Sequence, residues 1–386
     1  MIMAEVSSSA SATHTKQYKP YFSPANVERL SAKQRGKLSV SREERARQQA
    51  CGFIDAVGVR CGFPRRTIAT AQTLYMRFHL FFPYKDFSYI EVALATLYVS
   101  SKLHDTLKKP RDIILASFPI RFPHLLRKGT IDPSVAQAHG LDSERARILS
   151  IERLVLESMA FKFSANDGLR PVIKIGKKLG LNKDFCKICW KVAVDSYRTP
   201  APLSYPPHII ALGSIYTAAL LTMESLSLET AEIMDQTRTP RGIVELLGNT
   251  GSWEEDYVAG VTHVDEVVHA LLDLYHTVLS NPENQALQAP SPVSPKEPLG
   301  STAATSALSS SGTTAFPLSA FWTPQTLTKL KISLRERRGG LTAMPGWATE
   351  DTGETDEVAE GMGKNDVTIR FLWDEDLMAC ARECSH

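Results

Sequence analysis

RQQACGFIDAVGVRCGFPRRTIATAQTLYMRFHLFF, residues 47–82, and ALATLYVSSKLHDTLKKPRDII, residues 93–114, carry the pattern from which the fold is read. Apolar residues recur three and four positions apart, the spacing of one helical face. Ser41 with Glu44 makes an S-x-x-E capping box, and Ala46, Ala50, Phe53 and Val57 follow on a single stripe. Gly62 and Pro64 break that helix. A second carries Ile68, Ala71, Tyr75, Phe78 and Phe82 and is stopped by Pro83, and a third starts near Ser88 with Ile90, Ala93, Leu94, Leu97 and Ser101. Pro110 suits the first turn of a short fourth helix over Arg111 to Ser117. Asp142 is a good N-cap for a fifth, with Ile148, Ile151, Val155 and Met159 turned inward.

Downstream the same grammar returns. Asn182 caps an expected helix running through Arg198, and Pro206-Pro207 open another bearing Ile209, Leu212, Tyr216 and Ala219. Shorter pieces are expected near Leu228–Asp235 and, after Thr239-Pro240, at Arg241–Leu247. Ser252 with Glu255 predicts a second capping box that starts a long helix with Val264, Val268, Leu271, Tyr275 and Val278 at core spacing. No strand-like alternation interrupts this zone, so the expected fold class is all-α, two tandem five-helix bundles. The expected boundaries are 1–40 for a polar N-terminal arm, 41–165 and 166–280 for the bundles, 281–320 for a linker and 321–386 for a partly ordered C-terminal segment. The linker is rich in Pro, Ser, Ala and Thr and buries too little apolar surface to offset the entropy of ordering, so it is expected to be disordered. Around Tyr21–Leu38 a short flanking helix is expected, another over Phe321–Arg338, and Asp366–Leu372 (DVTIRFL) alternates like a strand.

Composition bounds the function. The 386 residues are 43% hydrophobic and 22% charged, which suits a globular protein with a real core, and the net charge of +2 is small for a dedicated nucleic-acid binder. No secretory pattern stands at Met1–Thr15. The most apolar run, His208–Thr222, is interrupted by Gly213, Ser214 and Thr217 and falls short of the roughly 20 residues of a membrane span. Six cysteines are too few for a disulfide framework in a chain of this length, and a reducing, intracellular setting is the expectation.

The segment from Arg47 to Ile114 resembles the first three helices of a cyclin box, and IERLVLESMAFKF, residues 151–163, resembles the fifth. The run Lys102-Leu103-x-Asp105-x-x-Lys108-Lys109 is similar to that of the transcription-associated cyclins. ICWKVAVDSYRTPAPLSYPPHIIALGSIYTAALL, residues 188–221, resembles the beta subunits of fungal RNA polymerase II C-terminal-domain kinases, with a looser likeness to cyclins K and L. The resemblance implies a non-catalytic regulatory subunit that packs against the regulatory helix of a cyclin-dependent kinase and carries the ion-pairing glutamate of that helix to the ATP-binding lysine. It implies a nuclear setting, a kinase that phosphorylates the polymerase tail, and a third, gamma subunit. By motif, the family's kinase-contacting lysine and glutamate fall on Lys102 and Glu152, with Leu103, Leu156 and Phe161 on the same surface. A lysine offers donors and a carboxylate acceptors, so the pair is suited to exposed backbone groups of a partner helix. Cell-cycle cyclins carry an M-R-x-I-L-x-x-W patch on their first helix; here the stretch reads ARQQACGFIDAVG, without the tryptophan, which favours a transcriptional role.

Other signals are weaker. Cys186 and Cys189 form a C-x-x-C that would suit zinc or redox chemistry, but no second pair stands at finger spacing, and thiols packed within a helical core are expected. Cys380 and Cys384 are too isolated to assign. Arg65-Arg66 and the run Lys174, Lys177, Lys178 are expected to be solvated helix faces. Arg335, Arg337 and Arg338 make a denser basic cluster that fits an acidic partner or nuclear import equally. Ser291-Pro292 and Ser294-Pro295 match proline-directed phosphorylation, in a segment where such dipeptides are common. Phosphate-loop, dinucleotide, zincin, nucleophile-elbow and kinase signatures are all missing, so no cofactor, no metal and no catalysis are expected. Two other function classes remain open: a DNA-binding double cyclin fold like general transcription factor IIB, whose N-terminal zinc ribbon has no counterpart before residue 41, and a peptide-binding scaffold. A splicing-linked, cyclin L-like subunit is a third alternative.

Overall fold

The structure is a computed structural model that describes residues 21–125, 133–161, 168–226, 239–281 and 322–340. The chain divides into two compact units at Ala165/Asn166. In the first unit α1 (Pro24–Arg35) and α2 (Val40–Arg60) each begin at a serine, Ser23 and Ser39, whose hydroxyl accepts from the backbone N–H three residues on, at 3.3 Å in both cases. They are followed by α3 (Arg65–Phe78), α4 (Tyr89–Leu103), α5 (Pro110–Arg121), the short α6 (Pro133–Ala138) and α7 (Leu141–Ser158).

Helix α4 is enclosed by α2, α3, α5 and α7. Its sequence allows this, because Val92, Ala93, Leu94, Ala95, Leu97 and Val99 are all buried and the alanines let neighbouring backbones approach. Each fully buried leucine or valine contributes roughly 1.5–3 kcal/mol relative to exposure. The polar groups on α4 are satisfied inside the bundle. Ser100 donates to the Thr67 carbonyl on α3 at 2.6 Å, and Thr96 donates to the Ala93 carbonyl at 2.9 Å. Around this core, ion pairs tie the outer helices: Arg121 with Glu144 at 2.5 Å joins α5 to α7, and Arg147 with Glu91 joins α7 to α4.

The second unit holds α8 (Arg170–Lys178), α9 (Lys183–Ser196), the single turn α10 (Ala201–Ser204), α11 (Pro207–Leu226), α12 (Pro240–Leu247), α13 (Trp253–Tyr257) and α14 (Val261–Ser280). Here α11 is the enclosed helix, with α8, α9, α12 and α14 around it and Ile209, Leu212, Ile215, Tyr216 and Leu220 buried. Its Ser214 and Thr217 hydroxyls donate to carbonyls one turn back, both at 2.7 Å. A final helix, α15 (Pro324–Gly340), lies against α14 through Leu327, Leu330 and Leu334, with Lys331 paired to Asp273.

Among the described residues the structure is all-helical, as read from periodicity. Boundaries depart from expectation for identifiable reasons. The first long helix starts at Val40 under the Ser39 cap, and Glu44 pairs with Arg47 and accepts from Gln48 instead of closing a box with Ser41. The helix with Phe82 on its stripe ends at Phe78, and Phe82 folds back to stack on Phe78 at 4.5 Å between ring centres. Helix α5 runs on through Pro119 to Arg121. The N-cap of α7 is Gly140, at φ +83°, with Asp142 inside the first turn. No box forms at Ser252. Val258, at φ +48°, breaks the long helix in two, and the Glu254 carboxylate accepts from Val261 N–H at 2.9 Å at the start of α14. Lys174, Lys177 and Lys178, expected on a helix face, lie on α8, which carries Pro171 in its first turn. Leu228–Asp235, the 281–320 linker with Ser291 and Ser294, Asp366–Leu372, Cys380 and Cys384 lie outside the described residues apart from Asn281.

Two stability predictions follow from the cores. A Cβ on Gly213 of α11 would stand 2.5 Å from Val267 Cγ1 and 2.6 Å from Val267 Cβ on α14. In an open helix Gly→Ala gains about 0.5–1 kcal/mol; Gly213→Ala is expected to reverse that sign, at a cost of about 1–3 kcal/mol from overpacking, read as a lower urea midpoint. The second concerns His79, 2% exposed and stacked on Tyr84 at 4.0 Å. Burial lowers its pKa from 6.5 to about 4, against the raising effect of its bond to the Phe82 carbonyl. The unfolded chain therefore binds a proton that the folded chain refuses between pH 6.5 and 4. Stability should be full above pH 6.5 and fall through that window by about 3 kcal/mol in all. His79→Phe should flatten that part of a urea-midpoint-against-pH curve.

Candidate functional site at the end of helix α4

At its C-terminal end α4 leaves the core, and Lys102 is the first residue to point outward after the buried Val99, Ser100 and Ser101. Its ammonium donates to Glu152 Oε1 of α7 at 2.6 Å, and the same group sits 4.1 Å from the centre of the Tyr98 ring one turn back. The two side chains differ in exposure, 42% for Lys102 and 12% for Glu152. Partial burial alone would lower the lysine pKa, but the hydrogen bonds and charges of Glu152 and Tyr98 outweigh it and the net shift is upward.

Beyond Leu103 the chain turns sharply. Asp105 takes φ +54°, Thr106 N–H bonds back to the Ser101 carbonyl at 2.9 Å, and the Thr106 and Thr67 hydroxyls meet at 3.2 Å. His104 is fastened to Thr70 Oγ1 at 2.7 Å. The turn leaves Leu107 70% exposed. Helix α7 ends similarly: Ala160 and Phe161 have φ of +49° and +55°, and Phe161 N–H returns to the Leu156 carbonyl at 3.0 Å. Two consecutive non-glycine residues in the left-handed region cost about 1–2 kcal/mol each. Phe161 is held there 52% exposed. Buried Arg77 supports the same end of α7 by donating to the Ser158 carbonyl at 2.9 Å.

The structure thus places Lys102 against Glu152, leaves Leu103 and Leu156 half-buried, and puts Phe161 in solvent at the end of the same helix. Two residues not singled out from the sequence belong with them. Leu149 is exposed one turn before Glu152 on α7, and Leu107 follows Lys102 in the turn. The i, i+3, i+7 spacing of Leu149, Glu152 and Leu156 was the available signal.

The other sequence signals resolve as structure. Cys189 is buried, which raises its thiol pKa, Cys186 packs at the α8–α9 contact, and neither forms a disulfide. No group of metal-ligating side chains occurs among the described residues. Arg65 pairs with Asp55. No described helix is long and apolar enough to cross a membrane.

The unequal exposure of the ion pair predicts unequal costs. Lys102→Ala strands a largely buried carboxylate and should destabilise the fold by about 1–3 kcal/mol. Glu152→Ala leaves a solvated lysine and should cost about 0–1 kcal/mol. Urea titration of both variants checks the ordering.

No family model matches the chain. It is 34% identical over 208 residues to the CTD kinase subunit beta of Schizosaccharomyces pombe, covering 52% of this chain and 58% of that one. It is 31% identical over 207 residues to Cyclin-T1-2 of Oryza sativa subsp. japonica, covering 52% and 32%. The chain therefore spans less than two thirds of the length of these curated relatives. Among solved structures it superposes on a chain of the yeast RNA Pol II CTD kinase CTDK-1 complex with a TM-score of 0.52 at 23% identity, over 67% of this chain and 74% of that one, a likeness of fold. In sequence the chain is thus similar to transcription-type cyclins, and in fold to a chain of a CTD kinase complex.

Proposed function

We propose that this chain is the non-catalytic cyclin subunit of a cyclin-dependent kinase that phosphorylates the C-terminal domain of RNA polymerase II, acting in the nucleus to regulate transcription. The observation that carries the reading is the Lys102–Glu152 pair, flanked by the exposed Leu107, Leu149 and Phe161, in a chain similar over 208 residues to a CTD kinase beta subunit. The pair lies at a helix end with its ammonium still open to solvent, so it can donate to backbone carbonyls at the end of a partner helix while Glu152 keeps it oriented. Leu103, Leu156 and Phe161 then supply apolar contact that excludes water from the charged pair, the anatomy of an interface anchor. The catalytic partner is the kinase, whose regulatory helix would be seated by this surface. A third, gamma subunit is part of the same reading, and the missing first-helix tryptophan patch argues for substrate choice by means other than that groove.

Native purification followed by mass spectrometry and a kinase assay on a polymerase-tail peptide tests the proposal; the absence of a co-purifying kinase would end it. Lys102→Ala, Glu152→Ala and Phe161→Asp are each expected to weaken kinase association roughly 30-fold, the ~2 kcal/mol of an interface anchor, with helical circular dichroism unchanged. Unaltered binding in all three would place the kinase on another surface.

A further inference from the structure

Helices α8 and α9 fold back on each other through the four residues Leu179–Asn182, with Gly180 at φ +67°. Their contact line is fixed by Gly176, where a Cβ would stand 2.8 Å from Cys186 Sγ. At about 100° per residue, Ile173, Lys177, Arg170 and Lys174 lie round α8 on one side of that line. Lys183, Lys187 and Lys191 lie round α9 in the same rotational sense. In two helices that run back on each other, equal rotation from the shared line brings both stripes to one face. All of these side chains are exposed, Ile173 by 48%, and Trp190 lies half-buried among them.

Arg170–Lys191 holds seven basic residues and one acid, a net +6 in a chain of net +2, so the remaining sequence is net negative. The single acid, Asp184, is paired with Lys187 at 2.7 Å, both exposed, and Lys178 lies 4.6 Å from the centre of the Tyr257 ring. Arg170, Lys174, Lys177 and Lys183 meet no carboxylate within ion-pair distance among the described residues. A solvated helix face usually intersperses both signs; this one does not.

We propose that the α8–α9 face binds a phosphorylated, extended peptide, and, resting on the function proposed above, that this peptide is the kinase's own product, the phosphorylated polymerase tail. The stripes Arg170–Lys177 and Lys183–Lys191 span eight and nine residues, about 11 and 12 Å. Two phosphates three residues apart on an extended chain stand about 9 Å apart, so a doubly phosphorylated segment fits the face and Ile173 offers apolar contact between the charges. A long nucleic acid fits less well, since it would run from the short basic face onto a net-negative remainder, and no fully exposed aromatic ring is present on the face for base stacking. Binding the product on the subunit that carries the kinase would raise the effective concentration of the substrate chain for further phosphorylation.

The test uses the full chain and fluorescence anisotropy with three probes: a polymerase-tail peptide carrying two phosphoserines three residues apart, the same peptide unphosphorylated, and a single-stranded oligonucleotide of equal charge. The phosphopeptide is expected to bind at least tenfold tighter than either other probe. The triple variant Lys174→Glu/Lys177→Glu/Lys187→Glu should lose at least tenfold in that affinity, with circular dichroism and kinase co-purification unchanged. Equal binding of the two peptides, an unaffected triple variant, or an oligonucleotide bound as tightly as the phosphopeptide overturns the proposal. A chain that captures no kinase but binds the phosphopeptide through these lysines sinks the function proposed above and leaves this surface standing; kinase capture without phosphopeptide binding does the reverse.

Discussion

Each unit depends on one helix that has no solvent face. A helix enclosed on all sides must be narrow enough for four neighbours to close on it, and every polar group it carries must find a partner within the protein. Helix α4 meets both conditions with Ala93 and Ala95 among its leucines and valines, and with Ser100 reaching across to the Thr67 carbonyl. Helix α11 meets them with Ala211, Gly213 and Ala218 and with hydroxyls turned back on their own helix. The surrounding helices need apolar residues on one stripe only and are free to carry charge on the other. That freedom is why α8 and α9 can hold seven basic residues without disturbing the core.

The same constraint locates the candidate site. An enclosed helix presents chemistry only where it leaves the bundle, and α4 leaves at Lys102. The turn after it and the end of α7 both pass through left-handed backbone at ordinary residues, Asp105, Ala160 and Phe161. Such conformations persist where the surroundings over-determine them. Here the supports are visible: Thr106 held to Ser101 and Thr67, Arg77 on the Ser158 carbonyl, and Phe161 N–H on the Leu156 carbonyl. The exposed Leu107 and Phe161 are thus carried on backbone that is fastened down, and a pre-organised apolar surface loses less entropy on binding than a loose one.

Much of this was legible in the sequence because helical burial leaves a period. The stripes through Ile68, Tyr75 and Phe78, and through Val264, Val268 and Leu271, are buried as read. What escaped were features decided by competition between local signals. Ser39 and Ser41 are both plausible caps, and packing of Glu43 against Arg35 favours the earlier one. The Ser252 box lost to a break at Val258, where Glu254 gives its carboxylate to the next helix instead. The bounds of α8 were not set, although its lysines were expected on a helix face; Pro171 sits in its first turn, where proline is tolerated, and Gly176 lies where α9 approaches closely. Lys102 and Glu152 were named from a family motif; no periodicity distinguishes that lysine from Lys108 or Lys109, and only the fold brings a carboxylate fifty positions away to 2.6 Å.

Charge and apolarity are kept apart on this molecule, and the separation has consequences for binding. At the Lys102–Glu152 surface the two central charges are paired with each other and flanked by exposed apolar side chains, so affinity there should come largely from desolvated contact. The α8–α9 face is the opposite case, with many solvated cations and one exposed apolar residue, so its attraction is long-ranged and screened. Under the proposals made above, a partner held at the first surface would be retained while partners at the second would exchange with ionic strength and with their own phosphorylation. That division would suit the proposed role, in which one kinase is kept and a succession of charged segments comes and goes.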